Sequence, residues 1–92
     1  MIVSFKDPDT RDLFETGKSR RWPNIVKVAK RKLDQLEISV HLTDLKVPPG
    51  NRLEALAGSR KGQHSIRIND QYRICFLWRM DGAHEVEITD YH

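Results

Sequence analysis

The sequence predicts an α+β fold: an N-terminal strand and two helices packed on an antiparallel β-sheet meander. Three observations carry that prediction. A chain of 92 residues with 38% hydrophobic content is long enough for one modest core and too short for two. Ile25, Val28, Ala29, Leu33 and Leu36 recur at helical spacing. Beyond Pro48-Pro49-Gly50 the pattern changes to alternation, with Ile66 in phase with Ile68, and Ile74 with Phe76 and Trp78. Residues 1–92 therefore read as a single domain, without repeats, low-complexity tracts or a linker.

Taken in order, Ile2 to Phe5 is a short first strand. Asp7-Pro8 follows as an N-cap with proline at the first helical position, and Asp9 favours the helix dipole. That helix turns Leu13 and Phe14 inward and stops at Gly17, a left-handed cap. The polar, basic stretch Gly17–Arg21 lacks periodicity and is a loop, expected to be mobile until an anion binds. Trp22-Pro23 restarts a helix with apolar residues on one face and Lys27, Lys30 and Arg31 on another. Leu42–Leu45 adds a helical turn, and Val47–Asn51 is a rigid loop that ends helix. Four strands are expected at Arg52–Leu56, Gln63–Ile68, Tyr72–Met80 and Ala83–His92.

The net charge of +3 is unevenly spread: residues 1–46 hold ten Lys/Arg against seven Asp/Glu, and residues 47–92 six of each. From Gly17 to Leu33 there are Lys18, Arg20, Arg21, Lys27, Lys30, Arg31 and Lys32 and no carboxylate, an electrostatic footprint for a polyanion. With Arg60, Lys61 and Arg67 these cations, Lys32 apart, are the candidate nucleic-acid contacts. No apolar run approaches the ~20 residues that span a bilayer, and the start enters folded pattern directly, which points to the cytoplasm. Cys75 stands alone in an apolar run and is expected to be a core or sheet residue, without a disulfide or cysteine metal site. His41, His64, His84 and His92 show no metal-ligand spacing, so no metal or cofactor is expected. His64 and His84 have the parity of the core face, and Trp22 and Trp78 read as core or partner contacts.

Strand parity brings the rest together. If Ile66 and Ile74 both face the core, the turn between them must be Asn69-Asp70-Gln71, which sets Arg67 opposite Arg73 on the other face. Two arginines in that relation destabilise a sheet unless an anion or carboxylate lies between them, so an anion site is expected. A three-residue loop at Asp81-Gly82 puts Val86 and Ile88 in the core, with Arg73 opposite Thr89 or Tyr91. The terminal Asp90-Tyr91-His92 then comes alongside Arg73, and Glu54, out of phase with Leu53, faces the same way from the neighbouring strand.

Guanidinium, carboxylate, phenol and imidazole on one open face beside a basic helix point to metal-free cleavage of RNA. The 2′-hydroxyl is an internal nucleophile; a base takes its proton while an acid protonates the leaving 5′-oxygen. His92 suits either task, with an unperturbed pKa of about 6.5, and Glu54 is its partner, in either assignment of acid and base. Arg73 would stabilise the charge on the pentavalent phosphate. Tyr91 would hydrogen-bond the phosphate or stack on a splayed base.

Ile2-Val3-Ser4-Phe5, Leu13–Gly17, the block Pro48–Leu56, the stretch Gly62–Phe76 and the ending Asp90-Tyr91-His92 resemble the HigB-type toxins of the RelE/ParE superfamily over essentially the whole chain. The resemblance implies a RelE/ParE-like domain and a ribosome-dependent mRNA endonuclease that cuts messenger in the A site. It also implies a cognate helix-turn-helix antitoxin of the HigA/GraA kind, whose complex with the toxin represses their own operon. Operator DNA would be reached only through that complex. Carried over by position, Arg73 matches the family arginine, and Asp90, Tyr91 and His92 match its C-terminal catalytic cluster. The chain departs where some HigB relatives have a histidine in place of Glu54 and a lysine in place of Ala57. Other members of the superfamily use a glutamate base, and Glu54 fits that version. Two readings compete: a ParE-like, non-enzymatic poison of DNA gyrase, and a plain nucleic-acid-binding module.

Overall fold

A computed structural model describes residues 1–90. The first helix, α1 (Pro8–Thr16), begins and ends as its sequence predicts: Asp7 Oδ1 accepts from the Thr10 N–H at 2.7 Å, Pro8 opens the helix, and Gly17 (φ 70°) returns its N–H to the Leu13 carbonyl. Thr10 is fully buried and does more than belong to the first turn. Its hydroxyl donates to Asp7 Oδ2 at 2.9 Å and accepts the Ile88 N–H at 3.1 Å, which ties the start of α1 to the far end of the sheet.

The second helix, α2 (Val26–Ile38), starts later than the Trp22-Pro23 restart expected. Residues Pro23 to Ile25 form a turn closed by the Ile25 N–H on the Trp22 carbonyl, and burial of Trp22, 5% exposed, fixes this entry without a side-chain cap. Ala29, Leu33 and Leu36 are fully buried. After α2 come two short 3₁₀ turns, Leu42–Lys46 and Pro49–Asn51. The buried Asn51 side chain joins them to α2, donating to Gln35 Oε1 and the Leu45 and Val47 carbonyls and accepting from Lys32 Nζ.

The sheet is an antiparallel meander, β1 (Glu54–Ala55), β2 (His64–Arg67), β3 (Arg73–Arg79) and β4 (Gly82–Thr89), in that spatial order. All four strands are shorter than expected; Arg52 sits in the left-handed region (φ 47°) after the 3₁₀ turn, so β1 retains two residues. The N-terminal segment makes two parallel bridges to β4, Ile2 with Ala83 and Phe5 with Val86, in place of the continuous strand expected. Helices and sheet enclose Leu13, Leu33, Ile66, Ile74, Phe76, Val86 and their neighbours.

Register between β2 and β3 follows the parity prediction, Ile66 opposite Ile74 and Arg67 opposite Arg73. Between β3 and β4 the predicted register is reached by another route. Arg79 pairs with Gly82 across a two-residue turn, Met80-Asp81, so a three-residue loop is absent. A β-bulge then sets Glu85 and Val86 against the single residue Phe76, with Glu85 at φ 52°, its N–H on Ser4 Oγ at 2.9 Å and the Val86 N–H on the Ser4 carbonyl. The inserted residue inverts parity midway. Val86 and Ile88 reach the core as expected, but His84 pairs with Leu77 on the opposite face and bonds Asp81 at 2.6 Å, whereas His64 keeps the core side against Phe76.

Candidate catalytic face

The face of the sheet turned away from the helices collects the charged residues that alternate with the core. Glu54 pairs with Ser65, Ser65 with Cys75, and Cys75 with Glu87, so these four form one row across β1 to β4. One step along lies the row Arg67, Arg73, Thr89. Arg73 is held from two sides: Nε donates to Ser65 Oγ at 2.9 Å and Nη2 to the Arg52 carbonyl at 2.8 Å, with Glu54 Oε1 at 3.7 Å. Its side chain is 14% exposed against 53% for Glu54. The guanidinium is thus fixed, and further N–H groups remain to meet an anion.

Each of the directly opposed arginines has its own carboxylate, Arg67 bonding Asp70 in the adjoining turn and Arg73 facing Glu54. Cross-strand repulsion is thus relieved within the chain.

Beside Arg73, Glu87 accepts two cations, Lys6 Nζ at 3.0 Å and Arg60 Nη2 at 3.6 Å. Under this layer Cys75 is fully buried. Desolvation pushes its thiol up to about 11, with the Glu87 charge adding to the rise and Arg60, Arg73 and Lys6 opposing it. At neutral pH it is protonated and shielded. A thiol reagent at pH 8 is expected to titrate no cysteine in the folded protein and one in denaturant; prompt native reaction would show this layer to be open. From the ordinary value of 9.0 up to about 11 the unfolded thiol ionises and the folded one does not, so this group makes stability fall as pH rises through that window.

At the end of β4 a cleft of about 520 Å³ opens, lined by Lys6, Arg21, Tyr72, Glu87, Thr89 and Asp90 among others. Asp90 Oδ2 accepts from Gln71 Nε2 at 3.0 Å, joining the chain's last described residue to the β2–β3 turn. Arg21 pairs with Asp9 at 3.2 Å and lies over the Trp22 ring at 4.6 Å.

The model of the HigB-like toxin family, described as a RelE-like toxin of the type II toxin-antitoxin system HigB, matches residues 3–92. This chain is a HigB-type toxin of the RelE superfamily. It is 43% identical over 85 residues to Toxin HigB-1 of Vibrio cholerae serotype O1, covering 90% of this chain and 88% of that one. An uncharacterized protein of Haemophilus influenzae is also 43% identical, over 55 residues, 60% of this chain and 54% of the relative. In fold, the toxin resembles a chain of the YoeB-YefM complex from Staphylococcus aureus, with a TM-score of 0.62 and 16% identity, covering 100% of this chain and 98% of that one.

Of the residues expected to form the toxin's site, Glu54 and Arg73 lie together on the open face, and Asp90 follows Thr89, the partner of Arg73. Tyr91 and His92 lie outside the described residues. Among the predicted RNA contacts, Arg60 and Arg67 share that open face, whereas Lys61 is an exposed residue of the β1–β2 connection. Lys18, Arg20 and Arg21 belong to the Gly17–Trp22 loop, where the Lys18 N–H bonds Thr16 Oγ1 and the Trp22 N–H bonds Ser19 Oγ. Lys27 and Arg31 are exposed on α2; Lys30 pairs with Asp34 and lies over the Phe14 ring. Sequence reasoning missed Ser65, Lys6 and Glu87. Phase was the available signal for Ser65 and Glu87, which stand two residues from Arg67 and Thr89 on the same face.

Proposed function

We propose that this toxin is a ribosome-dependent mRNA endoribonuclease that cuts by acid–base catalysis with 2′-hydroxyl attack and so stops translation in the cytoplasm. The observation that carries the reading is Arg73: a guanidinium fixed by Ser65 and the Arg52 carbonyl, beside the Glu54 carboxylate, and opposite the strand end that leads into Asp90-Tyr91-His92. In the reaction the O2′–phosphorus bond forms as the phosphorus–O5′ bond breaks, leaving a 2′,3′-cyclic phosphate and a 5′-hydroxyl. Glu54 and His92 divide the proton transfers, one removing the O2′ proton and the other protonating O5′. Arg73 meets the charge that grows on the non-bridging oxygens. Tyr91 orients the RNA, and Asp90 completes the terminal cluster.

A catalytic set of this size leaves in-line alignment of the message to the ribosome, so cleavage of free RNA is expected to be slight. Membership of a type II system supplies an antitoxin partner, and we assign it a helix-turn-helix domain. The test is cleavage of messenger on programmed ribosomes, with ends mapped by primer extension. Glu54→Gln and His92→Gln are each expected to lose about 10²–10⁴-fold in rate. Full activity in both would remove the assignment, and growth arrest with intact messenger and accumulating DNA breaks would favour gyrase as the target.

A further inference from the structure

The Lys6–Glu87–Arg60 group is too built to be an ordinary surface pair. Exposed ion pairs contribute little and need no burial, yet the Glu87 side chain is 12% exposed and each of its oxygens takes a different cation. Of the two cations Lys6 is the outward one, 54% exposed where Arg60 is 24%. An ammonium has three N–H donors and Glu87 meets Lys6 with one oxygen, so donors remain for a second anion. Glu87 also fixes where that ammonium stands: on the face of Arg73.

The placement names the ligand. Arg73 donates to Ser65 on β2, and Lys6 meets Glu87 on β4, in the same row of the sheet; two interstrand spacings make that about 10 Å. A lone small anion does not bridge such a gap, whereas an extended sugar-phosphate backbone crosses it. We propose that Lys6, held by Glu87 and flanked by Arg60, binds a further phosphate of the single-stranded RNA whose backbone meets Arg73. The proposal rests on the endoribonuclease reading above. Glu87 is then a positioning residue, and Lys6 a contact to the RNA backbone.

The experiment is titration of a short single-stranded RNA, made uncleavable with 2′-O-methyl groups, by fluorescence anisotropy across a salt series. Each phosphate neutralised in a single strand adds about 0.7 to the slope of log affinity against log salt. Lys6→Gln should flatten that slope by about 0.7, weakening binding most at low salt, while Lys6→Arg keeps it. Lys46→Gln, at an exposed lysine of the 3₁₀ turn after α2, should leave it unchanged. In a Glu87→Ala background the Lys6→Gln step should shrink, an effect on slope that loss of stability alone does not produce; an undiminished step overturns the positioning role. An unaltered slope in folded Lys6→Gln, an equal flattening by Lys46→Gln, or no RNA binding by the wild type overturns the proposal. So does a loss confined to antitoxin binding, which would assign Lys6 to an acidic protein surface. Cleavage of ribosome-bound messenger by the wild type, measured alongside, tests the endoribonuclease reading separately.

Discussion

Arg73→Ala is expected to slow cleavage of ribosome-bound messenger by about 10²–10³-fold, the usual cost of removing one preorganised donor from a developing oxyanion. The loss should fall on kcat more than on KM, because the group answers charge that appears as the pentavalent phosphate forms. Folding should survive the change. Arg73 lies on the open face outside the apolar core, and its removal ends the direct opposition to Arg67. Arg73→Lys separates charge from geometry: an ammonium keeps the charge but cannot reach Ser65 Oγ and the Arg52 carbonyl together while also meeting two phosphate oxygens. Lysine is therefore expected to recover about ten-fold of the loss and no more. Both variants should still bind the antitoxin, which serves as the check on folding. Cleavage by Arg73→Ala within three-fold of wild type, roughly 0.7 kcal/mol of barrier, would remove Arg73 from the chemistry.

Local rules were the legible part of this fold. Asp7-Pro8 and Gly17 mark the ends of α1 because capping is decided by neighbours in sequence. The β2–β3 register could be read because only one turn length keeps Ile66 and Ile74 on the core side, and the same parity put Glu54 near Arg73. The β3–β4 turn could not be read this way. A three-residue loop and a two-residue turn with a bulge both bring Val86 and Ile88 inward, and periodicity alone does not separate them. The bulge is chosen by the Ser4 hydroxyl and carbonyl, which take the Glu85 and Val86 N–H groups from the other end of the chain. His84 followed the bulge to the other face. Parity placed Arg67 opposite Arg73 but did not show that Asp70, in the turn itself, is close enough to take Arg67. Nothing in sequence announces the Thr10 hydroxyl on the Ile88 N–H, although that bond helps place the strand end that carries Asp90.

Gly82→Ala is expected to destabilise the toxin more than a change at any other glycine, by about 3 kcal/mol or more, from backbone strain and collision together. Gly82 has φ 132°, and a Cβ there would stand 2.1 Å from the Met1 carbonyl oxygen. The obstacle is backbone and cannot rotate away. It is also the acceptor for the Ala83 N–H at 2.8 Å, in the same ladder where the Val3 N–H bonds the Ala83 carbonyl at 2.7 Å. Making room means prising the N-terminal segment from β4, and that segment brings Ser4 to the bulge and Lys6 to Glu87. In a domain of this size about 3 kcal/mol corresponds to a fall in Tm of roughly 12–24 °C. Two other glycines divide the causes. Gly62→Ala meets nothing within 4 Å but has φ 96°, so it registers strain alone, about 1–3 kcal/mol. Gly50→Ala meets neither obstacle and should be neutral or slightly stabilising, since it narrows the unfolded ensemble. Thermal melts of the three variants give the order Gly50, Gly62, Gly82 in rising damage. If Gly82→Ala melts no lower than Gly62→Ala, the Met1 carbonyl does not close on the start of β4, and the N-terminal segment loses its part in placing Lys6 and the bulge.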